Sequence, residues 1–222
     1  MSDLDLDLDA DLDADAKELL RLGSATLYEA SRSDCFLDPA FRPAWDGAQL
    51  VGRAFPVSAQ IGDNLALHHG IEAASAGDVL VVDGGGAEFG YWGEVMTVAA
   101  QARGIRGLVI DGGVRDTAQL AALAFPAFST SISIRGTIKQ WPGTVGRTVT
   151  LRGRVVHRGD VIVADRDGIA VIPADRYDEV LAASRDRATK EDAYMARLRD
   201  GETTLDLYDF RRLGEPSRDL TP

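Results

Sequence analysis

Two short apolar runs, Val79-Leu80-Val81-Val82 and Leu108-Val109-Ile110, flank a stretch in which Val95, Met96, Val98, Ala99 and Ala102 recur at helical spacing. The runs read as buried strands, over 79–83 and 107–111, and the stretch between them as a helix from Glu94 to Arg103 ended by Gly104. Strand, helix and strand at this length predict a βαβ unit with parallel strands and a right-handed crossover. Upstream, the pattern predicts a helix over 14–22 stopped by Gly23 and a short helix through Ala30, with Thr26 and Glu29 at capping-box spacing. A strand over 50–59 follows, then a helix to Ser75 capped by Asp63. Downstream, 116–124 reads as helical. Short strands joined by tight turns are expected at 148–157, 160–164 and 168–173, then a long amphipathic helix over 174–199. The tail beyond Gly201 carries Leu205, Leu207, Tyr208 and Phe210, too apolar to be left free, so it is expected to pack on the body or on a neighbouring subunit.

Composition fits an α/β protein of one compact domain: 222 residues, 45% hydrophobic and 27% charged. No apolar run approaches the ~20 residues of a membrane span, and no basic segment followed by an apolar one opens the chain. The lone Cys35 makes no internal disulfide and is read as structural. A cytoplasmic protein is expected. The net charge of −11 disfavours nucleic acid and anionic membrane as partners. Much of it comes from Asp at every odd position from Asp3 to Asp15. Setting aside those seven leaves 28 acidic residues against 24 basic ones, a net of −4. Seven like charges on one face repel, so residues 1–13 are expected as a disordered acidic tail and 14–222 as the domain.

The sequence lacks the phosphate-loop, dinucleotide, nucleophile-elbow, CxxC and HExxH signatures. His68 and His69 on a helix, and His157 at a strand end, read as surface or packing residues. The chemistry converges instead on Glu94 to Asp116. A ten-residue helix runs ~15 Å and a five-residue strand returns over ~17 Å. Glu94, the Gly84-Gly85-Gly86 loop, Arg115 and Asp116 should therefore meet at the carboxyl end of two parallel strands, where open α/β sheets bind ligands. Singly, each has a plainer role: a turn, a helix-dipole acid, a local ion pair, a cap. Together they indicate a site for an anionic ligand and a hard divalent cation. Oxygen ligands without His or Cys point to Mg²⁺ or Mn²⁺.

The segments GDVLVVDGGG, WGE and GIRGLVIDGGVRD, with an acidic residue, twenty residues and then Arg-Asp, resemble the family of 4-hydroxy-4-methyl-2-oxoglutarate and 4-carboxy-4-hydroxy-2-oxoadipate aldolases, which also contains the ribonuclease E activity regulator RraA. The resemblance runs from Gly23 to the Leu-Tyr-Asp-Phe-Arg-Arg tail. It implies a swivelling β/β/α (RraA-like) fold and a homotrimer or homohexamer with sites between subunits. It also implies a metal-dependent pyruvate aldolase with oxaloacetate decarboxylase side activity. Arg115 and Glu94 would be catalytic, Asp116 would hold the metal, and Gly93, Val95 and Met96 would bind the substrate carboxylate at the helix start. Glu191 is the candidate carboxylate lent by a neighbouring subunit. Two departures stand out: Glu94 where the family usually has Asp, and Gln119 where its aldolases often carry an acid. A non-catalytic ribonuclease inhibitor is the alternative. A Schiff-base aldolase would need a buried lysine, and Lys17, Lys139 and Lys190 all fall outside the predicted core strands.

Overall fold

The computed structural model describes residues 3–214. The chain divides into two compact units, residues 1–184 and 185–222. In the first, α1 (Asp3–Ser31) is broken at Gly23, whose φ of 79° lies outside the helical range. The Ser24 N–H and hydroxyl both donate to Asp165, each at 2.7 Å, capping the second half of the helix. The backbone is helical from Asp3, so the acidic run expected as a tail joins the same helix. Leu12 within it is buried.

After β1 (Arg42–Pro43), the strands β2 (Leu50–Ser58), β3 (Asp78–Trp92), β4 (Gly107–Val114) and β5 (Ala127–Ile132) form the parallel centre of a mixed sheet. They are linked by α2 (Leu65–Ala73), α3 (Glu94–Ala102) and α4 (Thr117–Ala122). β6 (Thr144–Val145) pairs with β2; β7 (Val149–Leu151) and β8 (Arg154–Val156) make a separate hairpin. β9 (Val161–Ala164) and β10 (Ile169–Ile172) extend the sheet antiparallel, giving the order β1-β5-β4-β3-β2-β9-β10.

Side-chain alternation in the central strands divides the core between the two sheet faces. Leu80, Val82, Leu108 and Ile110 pack with Leu67, Ile71, Met96, Ala100 and Leu120 from the helices. Val79, Val81 and Val109 pack on the opposite side with Leu151, Val156, Ile162 and Ile169.

The second unit continues α5 (Tyr177–Arg199) into α6 (Thr204–Leu207) and a turn of 3₁₀ helix at Phe210–Leu213. Tyr208 meets the Tyr194 ring edge-on at 5.4 Å and stacks on Phe210 at 5.2 Å, and none of the unit's described residues is buried.

Three expectations change. β3 does not stop at Asp83: it runs on through Gly84, Gly85 and Gly86 to Trp92, its pairing with β4 shifting register three times. Gly85 and Gly86, at φ +69° and +67°, supply the left-handed backbone such irregularities need. β4 likewise continues through Gly112-Gly113, read as a loop, because a Cβ at Gly113 would press on the Phe89 carbonyl of the adjacent strand at 2.5 Å. β5, masked in sequence by its Ser and Thr residues, is a strand beside β4.

Candidate active site

The start of α3 is held by groups from the end of β4. Gly93 precedes the helix in an extended conformation. A Cβ there would collide with Oδ2 of Asp116 and sit 3.2 Å from the Arg115 side chain, so only glycine lets the Arg-Asp pair approach this closely. Oδ2 of Asp116 accepts a hydrogen bond from the Glu94 N–H at 3.0 Å, and Oδ1 lies 3.8 Å from Arg115 Nη1. The Arg115 N–H donates to the Trp92 carbonyl at 2.9 Å. Trp92 is itself locked, with its indole N–H on Thr97 Oγ1 at 2.8 Å and its ring stacked on Phe125 at 5.8 Å. Asp116 sits in the left-handed region at φ 57°, a conformation that costs on the order of 1 kcal/mol for a non-glycine residue and often marks a functional site. The first described backbone bond back along α3 from its N-cap runs from the Thr97 N–H to the Gly93 carbonyl at 3.0 Å. The Val95 and Met96 N–H groups lie before it, as the open donors of a helix start.

Gly93 and Arg115 line a cleft of about 400 Å³, with Val95, Met96, Asn64, His68, Thr137 and Lys139; Glu94 and Asp116 stand next to it and are not part of its lining. Arg115 is half exposed at its mouth and Asp116 is 30% exposed. Of the expected meeting of Glu94, the Gly84–Gly86 loop, Arg115 and Asp116, the structure brings together the Glu94 backbone, Arg115 and Asp116. The Gly84–Gly86 segment does not line this cleft. Gly84 gives its carbonyl to the Tyr91 hydroxyl, and Gly86 lies beside Asp111 and Arg152, which are joined by a 2.9 Å ion pair. Glu191 belongs to the second unit, ion-paired with Arg187 at 2.7 Å.

The other wall was not read from the sequence. Asn64 is the N-cap residue of α2 and His68 stands one turn on, so the two share a helix face; that i, i+4 spacing was the available signal. Asp63, expected as the cap, precedes Asn64, and its buried carboxylate accepts the Leu65 N–H at the start of α2 at 2.9 Å. Asn64 is 6% exposed; its Nδ2 donates to the Tyr91 carbonyl at 2.9 Å, and its buried Oδ1 has no hydrogen-bond partner among the described residues. His68, expected as a surface or packing residue, is exposed and lines the cleft. Partial burial lowers its pKa from the usual histidine value, and the charges of Lys139 and His69 push the same way. Lys139 comes from a stretch after β5 that has almost no regular structure. All three lysines are exposed, so the buried lysine of a Schiff-base enzyme is not present.

Among the described residues no group of three or more His, Cys, Asp or Glu side chains is placed to enclose a metal ion. A cation here would rest on Asp116 and on oxygens from water and ligand. That donor set suits Mg²⁺ or Mn²⁺, which keep several waters and accept one or two carboxylates. No described helix is long and apolar enough to cross a membrane.

The parallel strands, with a helix start and a guanidinium lining a cleft and a carboxylate next to it, define an α/β protein with its candidate site where such sheets tend to bind ligands. The chain belongs to the RraA-like family described as Aldolase/RraA, whose model matches residues 15–171. It is 31% identical over 173 residues to a Halalkalibacterium halodurans protein named "Putative 4-hydroxy-4-methyl-2-oxoglutarate aldolase", covering 78% of this chain and 82% of that one. Among solved structures it resembles Streptomyces coelicolor RraAS2, described as an unusual member of the RNase ES inhibitor RraA protein family. The TM-score is 0.71 at 26% identity, covering 82% of this chain and 96% of that one. It also resembles the RNA-processing inhibitor RraA from Thermus thermophilis, with TM-score 0.62 at 26% identity, covering 68% and 92%.

Proposed function

We propose that the chain is a pyruvate aldolase that cleaves a 4-hydroxy-2-oxo di- or tricarboxylic acid, such as 4-hydroxy-4-methyl-2-oxoglutarate or 4-carboxy-4-hydroxy-2-oxoadipate. The observation that carries this reading is one cleft with anion-binding groups on two walls: Arg115 and the start of α3 on one, Lys139 on the other. A substrate with a carboxylate at each end needs that arrangement, and a volume of about 400 Å³ suits a small acid.

The Val95 and Met96 N–H groups bind the carboxylate next to the keto group. Arg115 donates to the 2-keto oxygen and stabilises the negative charge that develops there as the C3–C4 bond breaks. Its planar fork, beside Gly93, suits that task better than a lysine. Glu94 orders a water that takes the proton from the 4-hydroxyl and returns one to C3, completing pyruvate and a second keto acid. Asp116 would hold Mg²⁺ or Mn²⁺, which when bound supplies a Lewis acid for the keto oxygen. Oxaloacetate should lose CO₂ at the same site, since that reaction develops the same enolate charge. The second acidic residue lent by a neighbour, with Glu191 as the candidate, makes a homotrimer or homohexamer the expected assembly.

A pyruvate-release assay on these acids and oxaloacetate, with Mn²⁺ or with chelator, tests the reading. Metal-dependent release supports it; no release from any substrate rejects it. A second reading, a non-catalytic protein that inhibits a ribonuclease, is favoured by the likeness to the two RraA structures. Inhibition of ribonuclease E by a chain inactive on all these acids would establish it instead.

A further inference from the structure

Lys139 reaches the cleft on a strap, residues 133–141, with almost no helix or strand of its own. Its first half is tied to the sheet: the Ser133 hydroxyl donates to the Glu88 carbonyl at 2.8 Å, and the Gly90 N–H donates to the Arg135 carbonyl at 2.8 Å. Its second half hangs on Asp63. That carboxylate is fully buried, and its Oδ2 accepts the Gln140 N–H at 2.7 Å and the Trp141 N–H at 2.9 Å, the two residues that follow Lys139. Oδ1 takes the Leu65 N–H at 2.9 Å, so the same side chain sets the start of α2, which carries Asn64 and His68. Backbone bonds between Ile138 and both Gly62 and Asn64 complete the clasp. A buried carboxylate that spends its oxygens on three backbone N–H groups around a cleft serves placement more than charge.

The geometry assigns Asp63 as the positioning residue that holds Lys139 in the lining of the cleft that also contains Arg115, and so sets the preference of the cleft for a 2-oxo acid bearing a second, distal carboxylate. This rests on the aldolase reading for the substrate class. The test reads binding rather than turnover, so a chain without lyase activity still answers it. Calorimetry with Mn²⁺ present would compare 2-oxoglutarate, which has the distal carboxylate, with pyruvate, which lacks it. The wild-type chain should bind 2-oxoglutarate the more tightly. Lys139→Met and Asp63→Asn should each weaken 2-oxoglutarate by roughly 10-fold, the scale of one misplaced charged contact, and leave pyruvate within about 2-fold. A purely structural Asp63 would weaken both ligands equally. If Asp63→Asn does not fold, amide exchange in the wild-type chain decides: the Gln140 and Trp141 amides should be protected well beyond their exposed neighbours. Equal loss of both ligands, a wild-type chain without the preference, undiminished preference in Lys139→Met, or fast exchange at those two amides would each overturn the assignment.

Discussion

The two walls of the cleft are built on different principles. The Arg115 wall stands at the ends of regular elements: Gly93 caps the start of α3, and Arg115 and Asp116 link β4 to α4, joined to α3 by the 3.0 Å bond from the Glu94 N–H to Asp116. Lys139 stands on irregular chain, held by a few backbone bonds and by one carboxylate 77 residues away from the Gln140 amide it binds. Close packing around a glycine makes the first wall intolerant of added volume. The second wall has room but few ties, so it should be intolerant of lost hydrogen bonds.

The largest expected effect follows from volume. Gly93→Ala places a methyl group against the Asp116 carboxylate and the Arg115 side chain. It should cut kcat/KM by on the order of 10²-fold or more, the scale of misplacing catalytic groups by an ångström. Steady-state kinetics on a variant with native circular dichroism checks it. If Gly93→Ala retains wild-type activity, the tight first wall is not what positions the pair.

Next is Arg115→Lys. Arg115 is half exposed and its one described ion pair spans 3.8 Å, so stability should change little. Turnover should fall by on the order of 10²-fold, as when one preorganised oxyanion donor is lost. Added Mn²⁺ should not restore it. Loss of melting temperature together with unchanged turnover would instead make Arg115 a structural residue.

The sequence made the first wall readable because its parts are local to one βαβ unit. Apolar runs located the strands, helical spacing located α3, and helix and strand lengths brought Glu94 and Arg115 to one edge. What it concealed has physical causes. Gly84–Gly86 looked like a loop because glycine is rare in strands, yet bulged pairing with β4 keeps β3 extended. β5 was hidden because Ser129, Thr130 and Ser131 break its apolar run. Lys139 could not be placed, since its position depends on long-range backbone bonds to Asp63 that leave no periodic trace.

Asp63→Asn sharpens the account of the second wall. Replacing a carboxylate oxygen with an amide NH₂ leaves backbone donors unmatched, and should cost about 2 kcal/mol of folding stability. Burial alone would raise the Asp63 pKa, but the Leu65, Trp141 and Gln140 N–H groups and the charge of Lys139 hold it below 3.8. The unfolded chain therefore binds this proton more readily than the folded one. The stabilisation is complete above the unfolded value and is lost as pH falls through the lower folded value. Urea unfolding between about pH 6 and pH 3 should show the gap between wild type and Asp63→Asn narrowing toward acid. A gap independent of pH would separate Asp63 from this effect.

The smallest effect is expected at the acidic start. Asp residues four apart on one helix repel, and Leu12 is the buried side chain described in that stretch. Deleting residues 1–11 while keeping Leu12 should move the melting temperature by no more than about 2 °C and leave pyruvate release unchanged.

The most direct test of the central claim is pyruvate release from 4-hydroxy-4-methyl-2-oxoglutarate by the wild-type chain and by Asp116→Asn across a range of Mn²⁺ concentrations. Release by the wild type should be abolished by chelator, and the lower rate of the variant should recover in part as Mn²⁺ rises. Release that ignores chelator, or a folded Asp116→Asn variant with the wild-type metal dependence, would contradict that claim.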